Sequence, residues 1–230
     1  MAVNLGGTRA VLAATHETMP GSRVLVVSSA EVYGPVPAEA VPVSEDRPLQ
    51  PSTVYALSKA CAELAAGLAS RRGLDVIVAR PFNHIGPGQS AEFVASAFAR
   101  QIARIEAGQQ EPVMRVGNLE AVRDFSHVRD TVTAFIALVE RGHAGATYNV
   151  TCGATLSIAQ LLDTLLAATR HKIEVSQDPA RMRPSDVPLF AGSADRLRAD
   201  TGWDGSFDGE ATLREVLDYW RAREGVPARR

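Results

Sequence analysis

Two uninterrupted apolar runs, Val24-Leu25-Val26-Val27 and Val76-Ile77-Val78-Ala79, constrain this chain more than any other feature. Neither alternates with polar residues, so each reads as a strand buried on both faces, the mark of a parallel sheet covered by helices. Between them, Ala30 to Gln50 holds four prolines and several acidic residues and reads as a loop. From about Thr53 to Arg71 the pattern turns helical, with Ser52 or Thr53 as N-cap and Gly73 as the stop. Strand, loop, helix and strand make one right-handed crossover of a parallel sheet. Ligands of such sheets lie outside the carboxyl ends of the strands. Ser28, Ser29, Pro81, Phe82 and Asn83 all fall there.

The remainder alternates in the same manner. Apolar positions across residues 3–19 predict a helix that begins almost at the first residue. Further helices are expected near 91–107, 127–141, 158–169, 194–201 and 210–224. Strands are expected at Val113–Val116, at Tyr148-Asn149-Val150 and near Ile173–Val175. A polar loop follows from Gln177 to Asp186. The fold class is therefore α/β.

Composition removes several classes of function. With 46% hydrophobic residues, 22% charged residues and a formal charge of -2, the chain has no electrostatic footprint for nucleic acid. No apolar run reaches the roughly 18 residues of a membrane span, and the first residues lack the regions of a signal peptide. Cys61 and Cys152 are too few for a disulfide framework and have no metal-ligand spacing, so two free thiols, no metal and a cytoplasmic location are expected. Neither a G-x-G-x-x-G turn after a strand nor a phosphate-binding G-x-x-x-x-G-K-[ST] loop is present.

Chemistry concentrates on Tyr55 and Lys59. Four residues apart on a helix, they share one face. Lys59 is one of only two lysines in the chain, so a lysine here is unusual for this composition. An adjacent ammonium favours the phenolate and lowers a tyrosine pKa from about 10. Such a phenol can exchange a proton with a carbonyl or hydroxyl.

Ser28-Ser29-x-x-Val32-Tyr33-Gly34, Tyr55-x-x-x-Lys59 and Arg80-Pro81-Phe82-Asn83-x-x-Gly86-Pro87-Gly88 together resemble the extended short-chain dehydrogenases/reductases of nucleotide sugars, the NAD-dependent epimerase/dehydratase family. The segments Arg80–Gln89, Val116–Phe125 and Gln177–Arg183 narrow the resemblance to members that reduce the 4-keto group of GDP-4-dehydro-6-deoxy-D-mannose to GDP-D-rhamnose. A 4,6-dehydratase or another NDP-sugar epimerase is the alternative. The resemblance implies a Rossmann-like parallel sheet with helices on both faces and a smaller α/β substrate domain. Residues 1–86 and about 121–150 would form the first; about 87–120 and 151–230 would form the second. Members open with a strand and a glycine-rich turn that holds the dinucleotide pyrophosphate. This chain opens at a later helix, so it is expected to lack the first βαβ units. A third reading follows, a shortened chain that binds nucleotide sugar without redox chemistry. A sheet edge left uncovered would favour association, so a homo-oligomer, a dimer, is expected.

The same resemblance assigns roles. Tyr55 would be the acid, and Lys59 would lower its pKa and bond the nicotinamide ribose of NADP or NAD. Ser29 would hydrogen-bond the reacting oxygen, and Glu31 sits where dehydratases carry a catalytic glutamate. Ser28, Pro81, Phe82 and His84 would border the cofactor. Ala30, Asn83, Arg123, Arg181, Arg183 and Asp186 would meet the GDP-sugar, the arginines at its diphosphate and Asp186 at its ribose.

Overall fold

The computed structural model describes residues 1–182 and 187–227. In chain order, a widened helical turn at Ala2–Gly7 runs into α1 (Thr8–Thr18), followed by β1 (Val24–Val27), α2 (Val54–Arg71) and β2 (Val76–Pro81). Next come β3 (Asn83–Ile85), α3 (Val94–Glu106), β4 (Val113–Val116), β5 (Val122–His127) and α4 (Val128–Arg141). Then follow β6 (Thr147–Val150), β7 (Ala154–Ser157), α5 (Ile158–Ala167) and β8 (Glu174–Gln177). The last elements are β9 (Leu189–Phe190), α6 (Asp195–Thr201) and α7 (Gly209–Glu224).

The two apolar runs pair in parallel, Val24 opposite Val76 through Val27 opposite Ala79. On the far side of β2, β6 adds a third parallel strand. Leu12 of α1 and Ala66 of α2 pack on Val26, Val76 and Val78 from one face. Leu138 of α4 and Leu197 of α6 pack on Ile77, Ala79 and Tyr148 from the other. Helices on both faces explain why these strands carry no polar alternation. A separate core gathers α3, α5 and α7 around β4, with Phe98, Ile102, Met114, Leu161, Leu165, Leu213 and Leu217 all buried. Here β4 pairs in parallel with β8.

Four strands were not anticipated. β3 pairs in parallel with β5, β7 runs antiparallel to β5, and β9 joins β5 through Val122 and Arg123. Together they form a second sheet beside the first. The polar segment Arg123-Asp124-Phe125, where no strand was expected, is the centre of that sheet. Its strand state comes from long-range pairing rather than from side-chain periodicity.

The Ala30–Gln50 loop is anchored rather than free. Its backbone closes on itself where Gln50 N donates to the Val32 carbonyl at 2.9 Å. Gly34 sits there at φ +66, where an added Cβ would collide with the Gln50 carbonyl. A small core of Ala30, Tyr33, Val36, Val43 and Phe82 holds this loop over the strand ends.

Candidate active site

The catalytic candidates converge where β1 and β2 end. Thr53 caps α2, its hydroxyl accepting from the Ala56 amide at 3.0 Å, which fixes where the helix begins. Tyr55 therefore lies in the first turn and lines the same cleft as Ser29, whose hydroxyl acts on the phenol to lower its pKa. Ser29 also opens the turn Ala30–Tyr33, accepting from the Glu31 amide at 3.2 Å. Lys59 Nζ donates to the Val27 carbonyl at 2.8 Å and stands 5.9 Å from the Tyr55 ring centroid. Ser28 is buried, and its hydroxyl has no partner among the described residues.

One electrostatic expectation fails. Burial, with Glu31 adding to it, raises the Tyr55 pKa above its ordinary value, and the Ser29 hydroxyl only partly opposes this. Lys59 is not among the groups that shift it; its ammonium donates to the Val27 carbonyl, and burial pushes the Lys59 pKa down. Glu31 is raised too, by burial against a bond from Thr53. A partner that sequence reasoning missed supports the helix start. Ser58 Oγ donates to the Tyr55 carbonyl at 2.7 Å and accepts from Asn4 Nδ2 at 2.9 Å.

From β2 the chain passes into β3 through Phe82 alone. The Phe82 ring is buried, 5.1 Å from that of Phe190 and 6.4 Å from that of Tyr33. Gly192 leaves the room this ring needs, since a Cβ there would overlap it. Asn83 Nδ2 donates to the Asp124 carbonyl at 3.1 Å, and His84 Nδ1 lies 3.1 Å from the Phe82 carbonyl. Ala30 is buried beneath its turn.

Two clefts adjoin here. One of about 620 Å³ holds Ser28, Ser29, Tyr55, Lys59, Pro81, Phe82 and His84. The other, of about 710 Å³, holds Arg115, Asn118, Arg123 and Arg181. Glu31, Asn83 and Phe190 line both. Arg123 Nη1 donates to the Val122 carbonyl at 2.8 Å, and burial lowers its pKa. Arg181 pairs with Asp178 at 3.4 Å. Arg183 and Asp186 lie outside the described residues. Arg115 was not anticipated; it is exposed in the cleft, with its backbone held on both sides by the Gln101 amide. Nothing in its sequence setting separates it from the other arginines.

Behind the clefts runs a buried polar network that sequence reasoning also missed. Arg80 Nη2 meets Glu63 Oε2 at 2.7 Å, and Arg80 Nη1 donates to Tyr33 Oη at 2.9 Å. Tyr33 in turn donates to Asn149 Oδ1 at 2.6 Å. One guanidinium thus ties α2, β2 and the Ser29 turn together. Burial opposes its charge, but the bonds to Glu63 and Tyr33 outweigh that and raise its pKa.

Asp124 faces away from both clefts and is fully buried. Burial lifts its pKa to about 6, against the Gly192 amide that donates to Oδ2 at 3.2 Å, while Oδ1 has no partner among the described residues. The folded value lies above the unfolded one, so the fold favours the protonated acid. The stability that this proton linkage confers is complete below pH ~4 and is lost as pH rises to about 6; two pKa units correspond to ~3 kcal/mol. Asp124→Asn should flatten that slope in denaturant unfolding measured from pH 4 to pH 7. An unchanged slope would assign it to other groups.

Comparison with known proteins places the chain among relatives. Residues 1–216 match the family model described as GDP-mannose 4,6 dehydratase. The chain is 40% identical over 222 residues to GDP-6-deoxy-D-mannose reductase of Pseudomonas aeruginosa, covering 96% of this chain and 73% of that protein. It is 30% identical over 200 residues to GDP-6-deoxy-D-talose 4-dehydrogenase of Aggregatibacter actinomycetemcomitans, covering 85% and 63%. Among solved structures it resembles RMD from Pseudomonas aeruginosa complexed with NADPH, with a TM-score of 0.92 at 37% identity over 96% of this chain and 74% of that one. It also resembles dTDP-glucose 4,6-dehydratase from Bacillus anthracis in complex with NAD, with a TM-score of 0.81 at 25% identity over 97% and 69%.

Proposed function

The chain belongs to the GDP-mannose 4,6 dehydratase family, and from that premise we propose that it is an NAD(P)-dependent oxidoreductase that reduces the 4-keto group of GDP-4-dehydro-6-deoxy-D-mannose to GDP-D-rhamnose. The observation that carries this reading is the junction of the two clefts. A proton-bearing phenol and hydroxyl lie on one side and a set of arginines on the other, with Asn83 common to both. Guanidinium forks suit a diphosphate, and on this reading the sugar would lie between them and Tyr55.

The residues at the first cleft fit a dinucleotide's nicotinamide end. A buried hydroxyl at Ser28 has no partner among the described residues, and Lys59 reaches the same wall. When bound, the cofactor would supply hydride at C4. Tyr55 would donate its proton to the C4 oxygen, and Ser29 would hydrogen-bond that oxygen as charge develops. A phenol raised by burial keeps its proton at neutral pH, as reduction requires. Phe82 and Phe190 would exclude water from the reacting face.

The test supplies GDP-4-dehydro-6-deoxy-D-mannose with NADPH or NADH and follows dinucleotide oxidation and sugar product. One dinucleotide consumed per GDP-rhamnose formed supports the reductase. Glu31 favours a second reading, because its raised carboxyl at the shared wall could move a proton as in dehydration. Turnover of a GDP-hexose without added dinucleotide would select that reading instead.

A homodimer fits the surface of α2. Val54, Leu57, Leu64 and Leu68 are exposed at spacings of three, seven and four residues along one stripe of the helix, Val54 by 75% and Leu64 by 68%. A narrow apolar seam of this kind is satisfied by an identical seam related by a two-fold axis. Leu64→Lys should shift the chain from dimer to monomer in light scattering. A monomeric parent protein would remove the proposal.

A further inference from the structure

We infer that a hollow on the outer side of α3, beside the arginine-lined substrate cleft and sharing Arg181 with it, is a binding site for a phosphate-type oxyanion. Arg100, Arg104 and Arg181 meet there with the amide side chains of Gln101 and Gln110. Among the described residues no carboxylate lines it. At about 190 Å³ it has roughly a quarter of the cleft's volume, room for an oxyanion rather than a nucleotide.

Three features point to an anion. Arg100 and Arg104 are one helical turn apart on α3, a spacing at which like charges repel. The Pro179–Arg181 turn brings a third guanidinium to the same hollow rather than a compensating acid. Arg104 also lines it, and its side chain makes no ion pair or hydrogen bond among the described residues, so its charge is left without a counter-ion there.

The other two arginines are held by acids outside the hollow. Arg100 Nε meets Glu224 at 2.8 Å with its guanidinium 5.4 Å from the Trp220 ring centroid, and Arg181 meets Asp178 at 3.4 Å. Those bonds orient the forks and leave further N–H donors for a tetrahedral ligand. Side-chain exposures of 42% for Arg100 and 48% for Arg181 leave the entrance open to solvent.

The experiment titrates the full chain with inorganic phosphate, followed by phosphorus NMR line broadening and calorimetry, with a hexose 1-phosphate as a second arm. Arg104→Gln should weaken phosphate binding at least tenfold, and Arg123→Gln, in the substrate cleft, should leave it within twofold. Should Arg104→Gln fail to fold, Arg100→Gln takes its place with the same expected loss. Binding by inorganic phosphate identifies the free ion as sufficient; binding by the hexose phosphate alone identifies a phosphomonoester site. No binding in either arm, or binding lost in Arg123→Gln and kept in Arg104→Gln, overturns the inference. The pattern of variants reads the hollow whether or not GDP-sugar is the substrate of the cleft.

Discussion

Tyr55→Phe is expected to lower turnover in the reducing direction by about 10²- to 10⁴-fold, the range of general acid catalysis, while substrate KM and the unfolding midpoint stay close to their starting values. The substitution removes one oxygen from a side chain that is 47% exposed, so little packing is lost. What is lost is the phenolic proton donor that lines the cleft with Ser29. The pH profile adds a second check. Burial raises the phenol above its ordinary value, so reduction should hold across neutral pH and fall only on the alkaline side, where the phenol ionises. Full activity in Tyr55→Phe would mean that the proton comes from elsewhere, with Glu31 the first candidate.

The largest stability effect is expected at Glu63. Its carboxylate and the Arg80 guanidinium are each under a tenth exposed. Glu63→Ala would strand a buried cation, at a cost of about 3–5 kcal/mol. For a chain of this size, each kcal/mol shifts Tm by roughly 2–4 °C. Replacing both partners with methionine should recover much of the loss, because breaking a buried pair costs more than removing it. Thermal and denaturant unfolding of Glu63→Ala and of the double variant measure this. Equal stability of Glu63→Ala and the parent would show that the pair contributes nothing. Because Arg80 also holds Tyr33 in the turn that presents Ser29, Glu63→Ala should impair turnover even at temperatures where the fold persists.

What the sequence disclosed follows from how local each signal is. Val24–Val27 and Val76–Ala79 read as strands because helices on both faces of the sheet write an apolar run into the chain itself. Thr53 announced α2 through a cap that bonds only three residues ahead. By contrast, β5 is Val-Arg-Asp-Phe-Ser-His, and only its partners in β3, β7 and β9 make it a strand. Glu63 and Arg80 lie seventeen residues apart, and Tyr33 and Asn149 lie 116 apart, so no spacing rule could pair them. The residue types at the site were readable. The Lys59 ammonium was not, because its commitment to the Val27 carbonyl is a contact across 32 residues.

The passage from β2 to β3 has a mechanical meaning. One strand ends at Pro81 and the next, in another sheet, begins at Asn83, with only Phe82 between them. Chain length at most surface loops can vary at small entropic cost, about 0.6 kcal/mol per doubling. Here there is no slack to vary. The two sheets are joined as by a rivet, and a single residue inserted beside Phe82 would throw Asn83 out of register with Phe125, its partner in β5. The reach between the two clefts is thus a fixed dimension of the backbone, set by one peptide unit on either side of an aromatic ring.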